Sequence, residues 1–412
     1  QLQQLPESLS RDTTELELRT SLGTAWMALR GWAAPQIAEH LDRTWQLSQS
    51  LGVSNHSLNM IWGMWVQLHC AGRVRDSMRW TQHLLSEAKR IGDRDMHTAG
   101  RMAACVSHFY LGEYHESLRY AESLIEEYDA ISHANIANLI NHDPKTIGGI
   151  QKAFCLWMLG KPESALKLMH ATLAHAYNRG HLFDTCYTIY CVGALAGQIG
   201  DADEYALRVE ELKRIGIDLR LPFFEQVMAG ISHASWLQIS NRPIEAKSEF
   251  EQVMPLFVTI GMGVALTRYM TLSALSHGQA GEFAVAVSEL EQVFEQIERP
   301  GWEEQYYYAE ALRIKGDLYR LSGNAAEAEK YFIAAIERAR VQHARSWELR
   351  SATSLASMLT LQSRQDEARQ WLAPVLQTFD EGFDMPDLKA AKALMDELQN
   401  NNVIQLAKKQ KK

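Results

Sequence analysis

The sequence has few of the residues that interrupt helices. Its 412 residues include only 10 prolines and 25 glycines, and the abundance of alanine, leucine, glutamate and glutamine favours helix over sheet. No apolar run reaches the ~18 residues that a membrane span requires, and we expect no secretion signal. The sequence therefore predicts an all-α fold without a membrane partner.

Cysteine is also scarce. The five cysteines are odd in number and scattered through segments with a helical pattern, at Cys70, Cys105, Cys155, Cys186 and Cys191. This arrangement argues against a disulfide framework and is typical of a reducing compartment, so we expect free thiols and a cytoplasmic location. Because the chain begins at Gln1 instead of Met, we also expect it to be a piece of a longer protein.

Positive charge is in the minority, with 41 Lys and Arg against 50 Asp and Glu. Four of the lysines stand among the last five residues, so the rest of the chain is more acidic than the net charge of −9 indicates. An acidic surface repels phosphate backbones, and we expect no direct nucleic-acid partner. The lysine-rich end is interpreted as a solvated terminus.

Motifs of common enzymes are missing as well. There is no GxxxxGK[ST] phosphate loop and no GxSxG nucleophile elbow, and Gly261-Met262-Gly263 is too short for a dinucleotide loop and is interpreted as an interhelix turn. His170 and His175 are five residues apart, whereas two ligands on one helical face need a spacing of three or four. We predict no catalytic residue, no metal site and no cofactor.

What the sequence does have is an internal repeat. Turn signals, in most cases a central glycine, recur at intervals of 40 to 48 residues, at Gly31, Gly72, Gly112, Gly160, Gly200, Asn241, Gly281, Gly323 and Arg364. Glycine or asparagine at such a position lets the first helix of a pair end in the left-handed region. The spacing predicts about nine antiparallel helix pairs with a period of about 41.

The clearest unit lies between Ala309 and Ile336. Gly316, Ala328 and Phe332 in this unit follow the pattern of small residues where two helices touch and an aromatic ring that fills the gap. The unit resembles the tetratricopeptide repeat, whose usual period is 34. The resemblance implies a superhelical solenoid with one concave face.

Two segments depart from the period. The surplus lies in residues 128–149, where Asp143-Pro144 and Gly148-Gly149 interrupt the helical pattern, so we expect an inserted loop. Residues 399–412 are polar and lysine-rich, and we expect a frayed, disordered tail. The predicted organisation is one repeat array over residues 1–398, followed by that tail.

Several longer segments resemble one bacterial family. They lie at residues 5–6, 15–18, 31–35, 142–144, 344–356 and 379–388. Together they are similar to the C-terminal tetratricopeptide region of multidomain signalling proteins, in which it follows an AAA-type (STAND-like) ATPase and either a class III adenylate/guanylate cyclase or a winged-helix DNA-binding domain. The resemblance implies a regulatory module. Residues of the ATPase or cyclase do not occur here.

The first helix of each pair should line the concave face. Counting from the turns, the candidate partner-binding residues are Asn59, Trp62, His69, Met102, Phe109, Phe154, Trp157, Tyr187, Tyr190, Arg268, Arg313, Asp317 and Arg320. Aromatic anchors in a concave surface are a common source of binding affinity. The alternative is that long helices close the concave face and bury these rings as core.

These observations support a non-enzymatic interaction and sensing module. Its partner would be a protein, a peptide or a small effector held on the concave face, and its occupancy would regulate an attached or associated signalling domain. The alternative is a self-assembly scaffold that forms a homodimer of a signalling protein.

Overall fold

The computed structural model describes residues 6, 8–30, 35–52 and 58–409, and this part of the chain contains twenty α-helices, one π-helical turn and no β-strand. The all-α prediction is confirmed. The helices are α1 (Leu9–Arg30), α2 (Pro35–Ser50), α3 (Leu58–Cys70), α4 (Val74–Ile91), α5 (Arg94–Tyr110), α6 (Tyr114–Glu126), α7 (Ile136–Ile140), α8 (Pro144–Met158), α9 (Pro162–Arg179), α10 (Leu182–Ile199), α11 (Ala202–Asp218), α12 (Ala229–Ile239), α13 (Pro243–Thr259), α14 (Leu266–Gln279), α15 (Phe283–Glu298), α16 (Tyr308–Leu321), α17 (Ala325–Val341), α18 (Arg345–Leu361), α19 (Gln365–Leu376) and α20 (Pro386–Lys409). The π-helical turn, Phe223–Met228, leads directly into α12.

The helices form nine consecutive pairs within the described residues. The pairs are α1–α2, α3–α4, α5–α6, α8–α9, α10–α11, α12–α13, α14–α15, α16–α17 and α18–α19. Short connections between neighbours make each pair antiparallel. The prediction of about nine pairs is confirmed.

The turns inside the pairs lie where the repeat predicted them. Eight fall within the described residues, and each contains a residue with positive φ, at Gly72, Gly112, Gly160, Gly200, Asn241, Gly281, Gly323 and Ser363. In the last turn the sequence prediction was wrong by one residue, because Ser363 and not Arg364 adopts the left-handed conformation. The predicted turn at Gly31 lies outside the described residues.

A second series of left-handed residues connects one pair to the next, and the sequence reading did not predict it. Its members are Gly52, Gly92, Gly180, Arg220, Gly261, Gly301, His343 and Gly382. They alternate with the first series at roughly half the repeat length. Four of these connections, which contain Gly261, Gly301, His343 and Gly382, contact another turn of the superhelix.

The packing of the clearest repeat unit follows its sequence pattern. Ala328 and Phe332 are fully buried. A Cβ atom placed on Gly316 would lie 2.7 Å from the Phe332 ring, so only glycine leaves room for the aromatic side chain between the two helices.

The inserted segment differs from the prediction. It contains a short helix, α7, and the next helix already begins at Pro144, with the Asp143 carboxylate accepting hydrogen bonds from the backbone N–H groups of Lys145 and Thr146. Gly148 and Gly149 do not interrupt α8 but lie inside it. A Cβ on Gly148 would lie 3.0 Å from the Ala121 carbonyl oxygen, so these glycines allow neighbouring helices to approach closely.

At the C-terminus, helix α20 continues through Lys409. The segment expected to be a frayed tail is therefore helical in its backbone up to that residue. Residues 410–412 lie outside the described residues.

Successive turns of the superhelix dock onto each other through the ends of first helices. The carbonyl of Cys70 accepts a hydrogen bond from Gly263 N (2.8 Å), and the carbonyl of Tyr110 accepts one from Gln305 N (2.7 Å). Ser346 Oγ donates in the same way to the Trp157 carbonyl. Because the last carbonyls of a helix lack partners within it, these contacts satisfy groups that an isolated repeat would expose.

The docking partners are separated by roughly half of the chain, so about half of the repeats complete one superhelical turn. At these hydrogen bonds a later superhelical turn covers the concave face that the sequence predicts to be open. First-helix side chains at the docking contacts pack against the later turn, as Phe109 does against Tyr306 and Trp157 against Trp347.

Candidate ligand-binding cavity

A cavity of about 100 Å³ lies on the inner side of the superhelix. We call it the interior cavity. It lies between the inner faces of α3, α5, α8 and α10, the π-helical turn and the connection that precedes α14. Its aromatic lining residues are Trp62, Trp65, Tyr110, Phe183, Tyr187, Tyr190, Phe223, Phe224 and Phe257.

Four of the candidate residues from the sequence meet at this cavity. Trp62 and His69 come from α3, and Tyr187 and Tyr190 come from α10. The α3 pair and the α10 pair are separated by more than one hundred residues in sequence and are brought together by the curvature of the array. The structure thus joins part of the predicted concave set in one place.

Four other candidates are core residues. Met102, Phe109, Phe154 and Trp157 are buried and do not line the cavity, so the expectation that they form an open binding face is corrected. The docking of superhelical turns explains this, since Trp157 packs edge-on against Trp347 of α18 with ring centroids 4.6 Å apart.

Asn59 is half-buried in the first turn of α3 and does not line the cavity either.

The C-terminal candidates form a ladder of ion pairs along α16. Arg313 contacts Glu310 at 2.7 Å and also pairs with Asp317, which contacts Arg320 at 3.2 Å. The charges of this ladder are satisfied by neighbours on the same helix. Arg268 is different, because it lies on α14 with only 4% of its surface exposed and packs over the Tyr269 ring.

Two polar side chains of the cavity wall, His69 and Cys70, are uncharged at neutral pH. Burial lowers the pKa of His69 to about 3 and raises the pKa of the Cys70 thiol to about 12, so the imidazole is neutral and the thiol is protonated. The His69 ring stacks on Trp65 with centroids 4.9 Å apart, and its Nδ1 has no hydrogen-bond partner. An apolar occupant would meet no charge on these side chains.

Irregular backbone forms much of this wall. Phe223, Phe224 and Met228 belong to the π-helical turn, a conformation that occurs frequently at functional sites. Ala265 has a φ of 61° although it is not glycine, and its N–H donates to the buried carboxylate of Glu304. Backbone strain that is held in place by a specific contact is a feature of ligand-binding sites.

Sequence reasoning missed several lining residues for identifiable reasons. Trp65 follows Trp62 by three positions and therefore shares a helical face with it, so this residue could have been found. Phe257, Met262 and Val264 could not, because they reach the cavity only through the docking of a later superhelical turn.

Two negative findings apply to the described residues. Within residues 6, 8–30, 35–52 and 58–409, no group of three or more His, Cys, Asp or Glu side chains is placed to hold a metal ion. No helix in the same part of the chain is long and apolar enough to cross a membrane.

Comparison with known proteins places the chain among helical repeat structures. Residues 307–380 match the sequence profile of the tetratricopeptide repeat. The solved structure of a Rap protein complexed with Competence and Sporulation Factor is similar to the chain, with a TM-score of 0.55 and 10% sequence identity over 90% of this chain and 98% of that one. No curated protein matches the sequence. At this identity the likeness establishes the fold, which is that of a tetratricopeptide-like solenoid.

Proposed function

We propose that the chain is a non-enzymatic interaction module that holds one bulky apolar group of its partner in the interior cavity. The observation that carries the proposal is a mostly aromatic cavity whose wall includes a π-helical turn and a strained alanine. Repeats of this type are well suited to binding proteins and peptides, and the Rap structure is itself a complex with a named factor.

The size of the cavity limits the occupant. An engineered cavity of ~150 Å³ takes up benzene, so a space of about 100 Å³ accommodates a side chain close to leucine in size. Complete burial of such a side chain stabilises a complex by about 2 kcal/mol. The rest of the affinity must come from other contacts of the partner.

The cavity is also placed to report occupancy to other parts of the molecule. Val264 and Ala265 line it, and the same connection is bonded through Gly263 and Val264 to the carbonyl of Cys70 in another superhelical turn. A ligand that presses on this connection would change the docking of the two turns. We propose that this change regulates an attached ATPase, cyclase or DNA-binding domain, in agreement with the resemblance of the sequence to signalling proteins.

The test uses the 412-residue chain labelled with ¹⁵N at its tryptophan indoles. N-acetyl-leucinamide should shift the NMR signals of Trp62 and Trp65, which line the cavity, and leave those of Trp157 and Trp347 unchanged. N-acetyl-glycinamide, which lacks the side chain, should shift neither pair. Indistinguishable responses to the two amides, or shifts confined to Trp157 and Trp347, would contradict the proposal.

A filled cavity provides the matched control. Val106 lines the cavity, and Val106→Phe should occupy the space and remove the response to N-acetyl-leucinamide. Val293 is buried outside the cavity, and Val293→Leu should leave the response to N-acetyl-leucinamide intact.

A further inference from the structure

Arg268 is a buried cation without a hydrogen-bond or ion-pair partner among the described residues. Only 4% of its surface is exposed, and none of the hydrogen bonds or salt bridges within the described residues reaches its guanidinium group. Its Nε is sealed from solvent and unpaired. Arginine stays charged in proteins, and buried charges are normally paired because the loss of hydration is otherwise uncompensated.

Two half-buried arginines on neighbouring first helices differ from Arg268. Arg313 is paired with Glu310, and Arg350 contacts Asp387 at 2.7 Å. The chain therefore provides carboxylates for its inner arginines as a rule. Arg268 is left without one.

The buried carboxyl group beside the N-terminus of α14 is used for another purpose. Glu304 accepts hydrogen bonds from the N–H of Ala265 and from Thr267 Oγ1 (2.7 Å), at the N-terminus of α14. It is not within ion-pair distance of Arg268. Burial raises the pKa of Glu304 to about 7, so this group is partly protonated at neutral pH.

Arg268 lies behind the wall of the interior cavity and is not itself one of the lining residues. Ala265, in the connection immediately before α14, lines the cavity. Tyr269, whose ring lies under the guanidinium, contacts the hydroxyl of the lining residue Tyr190. Burial raises the pKa of Tyr190, and the charge of Arg268 opposes that shift, which places the guanidinium close to the cavity wall.

We propose that Arg268 anchors a carboxylate of the ligand whose apolar group fills the interior cavity. This inference rests on the proposed function and adds the ligand class, namely a small apolar carboxylate, either as a free acid or as the C-terminal residue of a peptide. A single guanidinium neutralises one negative charge and can bind a carboxylate through two parallel hydrogen bonds. A phosphate dianion would need further donors or cations.

The test compares N-acetyl-leucine, which carries a free carboxylate, with the neutral N-acetyl-leucinamide. The chain should bind the acid about tenfold more tightly or better, because hydrogen bonds to charged groups are the stronger ones. Arg268→Met should abolish this preference and leave binding of the amide unchanged. Arg268→Lys keeps the charge but loses the fork of donors, so it should retain part of the preference.

A second readout does not depend on ligand. Because an unpaired buried charge destabilises the fold, Arg268→Met should raise the unfolding temperature of the free chain. A lower unfolding temperature would show a structural role and would overturn the proposal.

The outcomes distinguish the role of Arg268 from the binding of an apolar group in the cavity. Equal affinity for acid and amide would overturn the role of Arg268 while leaving the cavity as a binding site. Absence of binding by either would contradict the proposed function itself. If the acid is preferred, 3-phenylpropionate and the peptide Ala-Ala-Ala-Leu with a free C-terminus distinguish the source of the carboxylate, and tighter binding of either supports the anchor.

Discussion

The two halves of the inner surface use the same first-helix positions in different ways. Around α3, α5 and α10 the positions hold aromatic rings that leave a cavity of about 100 Å³. Along α16 they hold charges that pair with one another, as Arg313 does with Glu310 and Asp317. Residue type alone therefore does not identify a binding position, because a charged side chain that is satisfied within its own helix has nothing to offer a ligand.

The two tryptophan-rich parts of the interior differ in how tightly they are packed. Trp157 and Trp347 meet edge-on where two superhelical turns dock, whereas Trp62 and Trp65 border open space. Both sites are rich in tryptophan and both are buried. The space beside Trp157 is only about 20 Å³, whereas the space of about 100 Å³ beside Trp62 has room for an apolar side chain.

The largest expected effect comes from breaking the docking between turns. A Cβ on Gly263 would overlap the backbone carbonyl of Ala71, so Gly263→Ala should cost about 3 kcal/mol of the free energy of unfolding. Gly281→Ala is the control, since its φ of 90° is unfavourable but no atom lies within 4 Å, and it should cost about 1 to 2 kcal/mol. Urea denaturation measures both, and a larger loss at Gly281 would contradict the docking account.

A smaller effect reports the burial of His69 through pH. The pKa of His69 is about 3 in the folded chain against 6.5 ordinarily, so the unfolded state takes up a proton first as the pH falls below 6.5. Stability should therefore drop by up to about 1.4 kcal/mol per pH unit between pH 6.5 and 5. His69→Phe should remove this part of the slope.

Glu304 should behave in the opposite sense. Its pKa is about 7 in the folded chain against 4.5 ordinarily, so the folded state binds the extra proton and its contribution to stability is lost as the pH rises from 4.5 to 7. Glu304→Gln should remove that loss. The measurement is the free energy of unfolding as a function of pH. If His69→Phe and Glu304→Gln change its slope in the same direction, the buried environments assigned to these two groups are wrong.

The smallest effect concerns one added methylene group. Val106 borders the cavity, and Val106→Leu should raise the free energy of unfolding by about 0.5 to 1 kcal/mol. Val293 is fully buried in packed core, and Val293→Leu should lower it by about 1 kcal/mol. Thermal unfolding of the pair measures the difference. If both substitutions change the free energy of unfolding in the same direction, the surroundings of Val106 and Val293 do not differ in packing.

Periodicity alone was enough to predict the helix pairs. The turns at Gly72 through Gly323 and the packing of Phe332 on Gly316 follow from local rules of helix termination and small-residue contact. Gly148 and Gly149 misled the prediction, because glycine in a sequence does not distinguish a helix break from a close helix contact.

The site was only partly predictable. Trp62 and Tyr190 lie on first helices at the expected positions, but Phe109 and Trp157 occupy equivalent positions and are core. What separates them is the docking of Gly263, Gln305 and Ser346 onto helix ends roughly half a chain away. A repeat period carries no information about how tightly the superhelix closes.

The central claim is that the space beside Trp62 and Tyr190 holds an apolar group and that the packing of Trp157 on Trp347 does not. A crystal of the chain under xenon pressure tests it most directly, because xenon enters dry apolar cavities of this size. The account predicts xenon density in contact with Trp62 and Tyr190 and none beside Trp157 and Trp347. Density at the Trp157 cluster with an empty site at Trp62 would contradict it.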